Sequence, residues 1–240
     1  DINGMDAAHK ISILAALAFG IKPPLNQTNV EGIESITAMD ISYANELGYI
    51  IKHVGITEIS DDLVHASVHP VLVASNNIFS QVSNEMNAII VKGERFGHTM
   101  LYGHGAGGNA TASAVVSDLV SAINHMTYSK SSYAQMVETV GQKSYKIKSQ
   151  DNIKSQYYLR IFADDVPGVM AEITNKLAEK EISIEAVTQH EATDANSPIP
   201  IVIITNNVRD ILIKDVIRDI EKMKNTRDKV SSIRILSNDK

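Results

Sequence analysis

Two residues near the start of the chain carry the clearest chemical possibility. Asp6 and Lys10 stand four apart within Met5–Gly20, so a helix there sets carboxylate and ammonium on one stripe. A lysine on a mostly buried helix loses hydration, which lowers its pKa and lets it pass a proton near neutral pH. A carboxylate one turn away orients it or binds a substrate ammonium. The same spacing also makes an ordinary surface ion pair, the commoner outcome when spacing is all that is known. A second feature is the glycine-rich run Gly103-His104-Gly105-Ala106-Gly107-Gly108, placed between a β-rich stretch and a helical one. Bare glycines before a helix let backbone N–H groups approach an anionic or polar ligand, and they equally make a tight turn that packs a helix on a sheet. The run lacks the Lys-Ser/Thr ending of a P-loop and does not stand at the front of a βαβ unit. A third is Asp165-Val166-Pro167-Gly168, where a helix-opening turn offers free N–H groups and a residue without Cβ to a small ligand's carboxylate; a plain helix start explains it as well.

Other chemistry is excluded or unsupported. There is no cysteine, so disulfides, thiolate metal sites and cysteine nucleophiles are out, and the composition fits a reducing compartment, the cytoplasm. Seven of the eight histidines precede residue 127, yet they show no His-Glu-x-x-His pairing and no zinc spacing, so no metal is expected. Ser113, Ser117 and Ser121 lack the Gly-x-Ser-x-Gly setting of a hydrolase nucleophile.

These residues must be positioned by a core, and 240 residues with 44% apolar content supply one or two domains. The net charge is −6, with 13 acidic and 9 basic residues in 1–150 and 15 and 13 in 151–240, so no segment has the basic excess that nucleic acid requires. The longest apolar stretch, Ile11 to Ile21, is too short to span a bilayer. The pattern predicts a helix over 5–20, stopped by Gly20 and the prolines at 23 and 24, with apolar residues almost all round and hence burial on most sides. A second helix is expected from Ile33 to Leu47. Strands follow at 49–57, 64–73, 88–92 and 99–102, read as one sheet, then a helix over 112–126 with its apolar face at Val115, Val116, Leu119, Val120 and Ile123.

Residues 127–156, rich in Ser, Lys and Gln, read as a linker. Beyond them come β 157–163, α 169–180, β 183–191, β 199–205, α 211–224 and β 230–236. This βαββαβ order is ferredoxin-like, a four-stranded antiparallel sheet with both helices on one face.

The string Asp1-Ile-Asn-Gly-Met-Asp-Ala-Ala-His-Lys10 through Gly20 resembles the substrate-site segment of homoserine dehydrogenases. The likeness continues through Gly32-Ile33, Ile36, Asp40, Gly48, Gly55-Ile56, His69-Pro70, Asn87-Ala88, Tyr102-Gly-His-Gly-Ala-Gly107 and Thr111–Asp118. It covers residues 1–126. The tail, with Asp165-Val-Pro-Gly-Val169 and Glu181-Ile-Ser-Ile-Glu185, resembles an ACT domain. The resemblance implies an α+β chain: a mixed-sheet substrate-binding and dimerisation domain over 1–126, a linker over 127–156 and an ACT regulatory domain over 157–240. It also implies interconversion of aspartate semialdehyde and homoserine with NADP or NAD, on the route to threonine, methionine and isoleucine. Lys10 would give the proton, Asp1 and Asp6 would lie at the homoserine site, and Gly107 would approach the cofactor. Asp165, Gly168 and Val169 would hold an amino-acid effector such as L-threonine between paired ACT domains, in a homodimer or homotetramer.

The family's nucleotide-binding domain, a βαβ unit with its fingerprint and following acidic residue, is not read in these 240 residues, so the chain is expected to be a fragment that does not turn over alone. His104 stands where the family often has proline. The rival reading is a non-enzymatic amino-acid sensor, a dimerisation domain joined to an ACT domain.

Overall fold

The computed structural model describes residues 2–127, 141, 143–189 and 197–237. Helix α1 (Met5–Phe19) ends where Gly20, at φ 70°, turns left-handed and gives its N–H to Ala16 O at 2.9 Å. Its buried residues are Ala8, Ile11, Ser12, Ala15 and Ala16, one face at i, i+3, i+4, i+7 and i+8. That face lies on the hairpin of β2 (Tyr49–Ser60) and β3 (Leu63–Ala74). Ile11 presses there against Gly55, where a Cβ would stand 3.2 Å away. Met5, Ile13 and Leu17 stay exposed, so the expected burial on most sides is corrected to burial on one.

The β2–β3 hairpin is paired residue by residue from Tyr49–Ala74 to Ser60–Leu63 and turns at Asp61 and Asp62, both with positive φ. Strand β3 is the centre of the molecule. Short parallel partners join it, β1 (Asn29–Val30) and β6 (Lys146–Ile147), and every residue from Val64 to Val73 is buried. A near-continuous apolar strand is what burial on both faces demands.

Helix α2 (Ala38–Glu46) starts later than its pattern predicts because Thr37 caps it: the Thr37 hydroxyl accepts from Asp40 N while the Asp40 carboxylate accepts from Thr37 N. Strands β4 (Met86–Gly93) and β5 (Gly97–His104) form their own two-stranded sheet rather than joining β2 and β3 as expected. Helix α3 (Gly108–Thr127) follows them. Its apolar face, at Val115, Val116, Leu119, Val120 and Ile123 as the pattern predicts, is 52–60% exposed.

In the second half, β7 (Lys154–Ala163), α4 (Val169–Glu179), β8 (Ile184–Gln189), β9 (Ile199–Thr205), α5 (Asp210–Glu221) and β11 (Thr226–Ile235) take the expected βαββαβ order. The sheet order is β11-β7-β9-β8, all antiparallel, with a two-residue strand β10 (Val208–Arg209) beside β7. Both helices cover one face. Val169, Ile173 and Leu177 of α4 and Ile213, Val216 and Ile220 of α5 are buried with Leu159, Ile161, Ile201 and Ile203.

The opposite face is dry too: Tyr158, Val202, Ile204, Ile233 and Ile235 pack against Ala44 of α2, Leu72 of β3 and the flanking Ile36, Tyr43 and Leu47. At the end of β11, Arg234 and Ile235 pair parallel to Val71 and Leu72, so one nine-stranded sheet runs through both halves among the described residues. Of the segment expected as linker, 128–140 and 142 lie outside the described residues; Lys146–Ile147 is a strand and β7 begins at Lys154.

Candidate functional site

The Lys10 ammonium meets the Asp6 carboxylate at 2.7 Å on α1, and the hydrogen bond from Lys10 holds the Asp6 carboxyl below its usual range. The two side chains are 65% and 52% exposed. The expectation of a buried lysine is therefore corrected, because Lys10 lies off the Ala8–Ile11–Ala15 face and stands in solvent. The front of α1 is nonetheless firmly held. Gly4, at φ 81°, has no room for a Cβ, which would stand 3.0 Å from Val30, 3.2 Å from the His53 ring and 3.3 Å from Val68. Ile33 N donates to Ile2 O at 3.0 Å, and His53 Nε2 lies 2.9 Å from Glu31 O. Asp1 lies outside the described residues.

The glycine run connects β5 to α3. Gly107 is at φ 116° with open space where a side chain would be, and Gly108 begins the helix, so bare backbone faces whatever approaches. Gly103, Gly105 and Gly108 do carry the glycine spacing of the dinucleotide fingerprint. However, β5 pairs antiparallel to β4, and α3 leads into no parallel partner of β5 among the described residues, so the βαβ setting is missing. His104 is exposed, its Nδ1 3.6 Å from Glu85 Oε1.

Asp165, Gly168 and Val169 line one pocket of about 300 Å³ at the start of α4, walled on the sheet side by Gln189, Ile199 and Ile201. Gly168 adopts φ 97° as the N-cap and offers no side-chain cap, leaving the helix entry to backbone groups. Neighbouring Asp164 is held in place by Arg227, whose Nε donates to its carboxylate at 2.8 Å.

What sequence reasoning missed are the ion pairs between the halves. Arg160 of β7 donates from Nε and Nη2 to Asp40 at 2.7 and 3.0 Å, and Tyr158 adds its hydroxyl at 3.2 Å. Burial pushes the Asp40 carboxyl up, but the bonds from Arg160 and Thr37 outweigh it and the net shift is down. Arg234 of β11 donates to Glu31 at 2.8 and 3.0 Å and to Asp210 at 2.6 Å, and Asp210 also takes the Tyr157 hydroxyl at 2.5 Å. Beside this network, burial first and then the charge of Arg234 bring His69 down to about 4. Burial, then Lys148 and Arg234, do the same to His65. The available signals were an arginine inside the apolar run Tyr157–Ala163 and a carboxylate at the third helical position after Thr37.

No three-residue group of metal-binding side chains occurs among the described residues, and no described helix is long and apolar enough to cross a membrane. Residues 1–120 match the family model for homoserine dehydrogenase and residues 157–225 that for the ACT domain. Homoserine dehydrogenase from Pseudomonas aeruginosa is 37% identical over 237 residues, which cover 98% of this chain and 55% of the relative. That from Helicobacter pylori is 36% identical, covering 98% and 54%. The crystal structure of a homoserine dehydrogenase from Thiobacillus denitrificans superposes with TM-score 0.85 at 36% identity, over 98% of this chain and 54% of that one. A Staphylococcus aureus homoserine dehydrogenase gives 0.67 at 27%, over 99% and 54%. The chain thus spans about half the length of the relatives it matches. On the match over residues 1–120 and the ACT match beyond, it belongs to the homoserine dehydrogenase family.

Proposed function

We propose that these residues form the substrate-binding and regulatory part of an enzyme that interconverts L-aspartate 4-semialdehyde and L-homoserine with NADP or NAD. The carrying observation is the Lys10–Asp6 pair, 2.7 Å apart and open to solvent inside the segment matched to the family. A nicotinamide dinucleotide, when bound, supplies or accepts the hydride at the carbonyl carbon. The open glycine turn fits its close approach at Gly107, while the ribose-reading residue of a βαβ unit would come from polypeptide outside these residues. Lys10 Nζ gives its proton to the carbonyl oxygen as it becomes a hydroxyl and takes it back in reverse. Asp6, and Asp1 by resemblance, hold the substrate's ammonium and orient Lys10. Because Lys10 is exposed on α1, substrate and cofactor reach it from solvent and together cover it.

Asp165, Gly168 and Val169 form the entry to an effector pocket that takes the carboxylate of an amino acid such as L-threonine. The assembly is a homodimer or homotetramer in the cytoplasm, serving threonine and methionine synthesis under allosteric control. In the enzyme that carries these residues together with a nucleotide-binding domain, Lys10→Ala should lower kcat while cofactor affinity stays as it was; a normal kcat removes Lys10 from the reaction. Calorimetry with threonine, isoleucine and methionine tests the regulatory part, and the absence of heat with all three counts against it.

A further inference from the structure

Helix α1 begins without a strong local stop. Its N-cap is Gly4, in the left-handed region and with no side chain to give, and the bond from Met5 N to Asn3 Oδ1 at 3.1 Å lies within the same short segment. What holds the first turn, the one that carries Asp6, is tertiary. A Cβ at Gly4 would stand 3.0 Å from Val30, and Ile33 N donates to Ile2 O at 3.0 Å. At Gly32 a Cβ would come within 2.7 Å of Ile2 O, so the two segments run in backbone contact. The place where α1 starts, and with it Asp6 and Lys10, therefore follows the place of residues 30–33.

Those residues have little backbone hold of their own. β1 pairs with β3 at Asn29–Ser67 and Val30–Val68, and Glu31 N adds a bond to Val68 O at 2.7 Å. The side chain of Glu31 supplies the rest. Both its carboxylate oxygens accept from Arg234, at 2.8 and 3.0 Å, and Asn29 Nδ2 adds a bond at 3.1 Å. Arg234 is itself gripped from several sides: it is buried, it pairs with Val71 across the strands, its Nη2 also donates to Asp210 at 2.6 Å, and its guanidinium lies 5.7 Å from the centre of the Tyr157 ring. A planar guanidinium fork holds two carboxylates at once in fixed geometry, which an ammonium on a flexible stem does not.

We propose that Glu31, clamped by Arg234, is a positioning residue for the Lys10–Asp6 pair: the last strand of the second half fixes β1, and β1 fixes the first turn of α1. The proposal rests on the reading above, in which Lys10 and Asp6 meet the substrate. Glu31 can be removed cleanly, because it is partly exposed and Arg234 keeps Asp210 as its partner, so no buried charge is stranded.

The test has two readouts. In the 240-residue chain, Glu31→Ala should speed amide hydrogen exchange at least about tenfold at Ala8, whose N–H closes the first turn on Gly4 O at 2.9 Å. Ile220→Val trims the core of the second half at the far end of α5 and controls for stability lost elsewhere; it should leave exchange at Ala8 as in the parent. In the enzyme carrying a nucleotide-binding domain, Glu31→Ala should raise the KM for homoserine at least about tenfold with the cofactor KM unchanged, and Arg234→Lys should follow it in part, while Ile220→Val keeps the parent's constants. Unchanged exchange at Ala8 in Glu31→Ala, the same acceleration in Ile220→Val, or a homoserine KM like the parent's overturns the proposal. A parent enzyme that does not turn over homoserine refutes instead the reaction on which the proposal rests, and exchange at Ala8 still decides whether Glu31 holds α1.

Discussion

Two carboxylate–cation pairs of the same length behave in opposite ways. Lys10–Asp6 and Arg160–Asp40 both close to 2.7 Å, yet the first stands in water with 65% and 52% exposure and the second is sealed at 7% and 0%. An exposed pair is screened and easily exchanged for a substrate's charges, whereas a buried pair can lose a partner only by stranding the other charge in a dry interior. The exposed pair is the one the proposed reaction uses, and the buried one fastens α2 to the sheet of the second half. The same contrast holds at larger scale. The sheet around β3 and β7 is dry on both faces, while β4, β5 and α3 present Leu101, Leu119 and Ile123 to solvent.

The contrast can be broken from either end. Lys10→Ala, in the enzyme carrying a nucleotide-binding domain, should cost about 10²–10⁴-fold in kcat, as removing a general acid does. The urea midpoint of the 240-residue chain should not move, because the exposed pair fastens nothing. Asp40→Ala should do the reverse, destabilising the chain by about 3–5 kcal/mol in urea unfolding by leaving Arg160 buried and unpaired. Replacing both, as Asp40→Leu with Arg160→Met, should cost less than the single change; an equal cost would show that packing rather than stranded charge is responsible.

Acid should sharpen the difference between the regions. His65 and His69 are held near 4 in the folded chain against about 6.5 unfolded, so the unfolded state binds more protons between those values. Their contribution is present above pH 6.5 and is lost progressively as pH falls toward 4. The lowered carboxyls of Asp40, Asp210 and Glu31 contribute above their unfolded values and lose that contribution as pH falls further, through their folded ones. Urea midpoints from pH 7.5 to 4.5 should therefore fall, and fall less in His65→Gln/His69→Gln. A flat profile in the parent would contradict burial of the two rings. The smallest effect is expected at Gly168→Ala, where open space leaves only the left-handed backbone cost of about 1–2 kcal/mol. If the effector pocket is used, the heat of threonine binding should drop well beyond what that stability change explains.

Much of this was legible along the chain. The strand Ile199–Thr205 has the predicted limits, the helix after Pro167-Gly168 starts at Val169 as expected, and Gly20 ends α1. Such features depend on residues a few positions apart, on periodicity and on turn chemistry. The Asp6–Lys10 spacing was readable for the same reason, and so was the turn at 165–169.

Which faces become buried was not legible, because an apolar stripe states only that it prefers cover. α3 and α4 both carry such a stripe; the sheet covers that of α4, and among the described residues nothing covers that of α3. Pairings such as Arg160 with Asp40, 120 residues apart, and Arg234 with Glu31, 203 apart, are likewise invisible in any local window. The order of amino acids set the elements, their ends and the four-residue spacing of Asp6 and Lys10, since these follow from backbone and side-chain preferences over one or two turns. Tertiary structure alone decided that Lys10 faces water and Asp40 does not, because desolvation depends on which distant strand comes to lie across a helix.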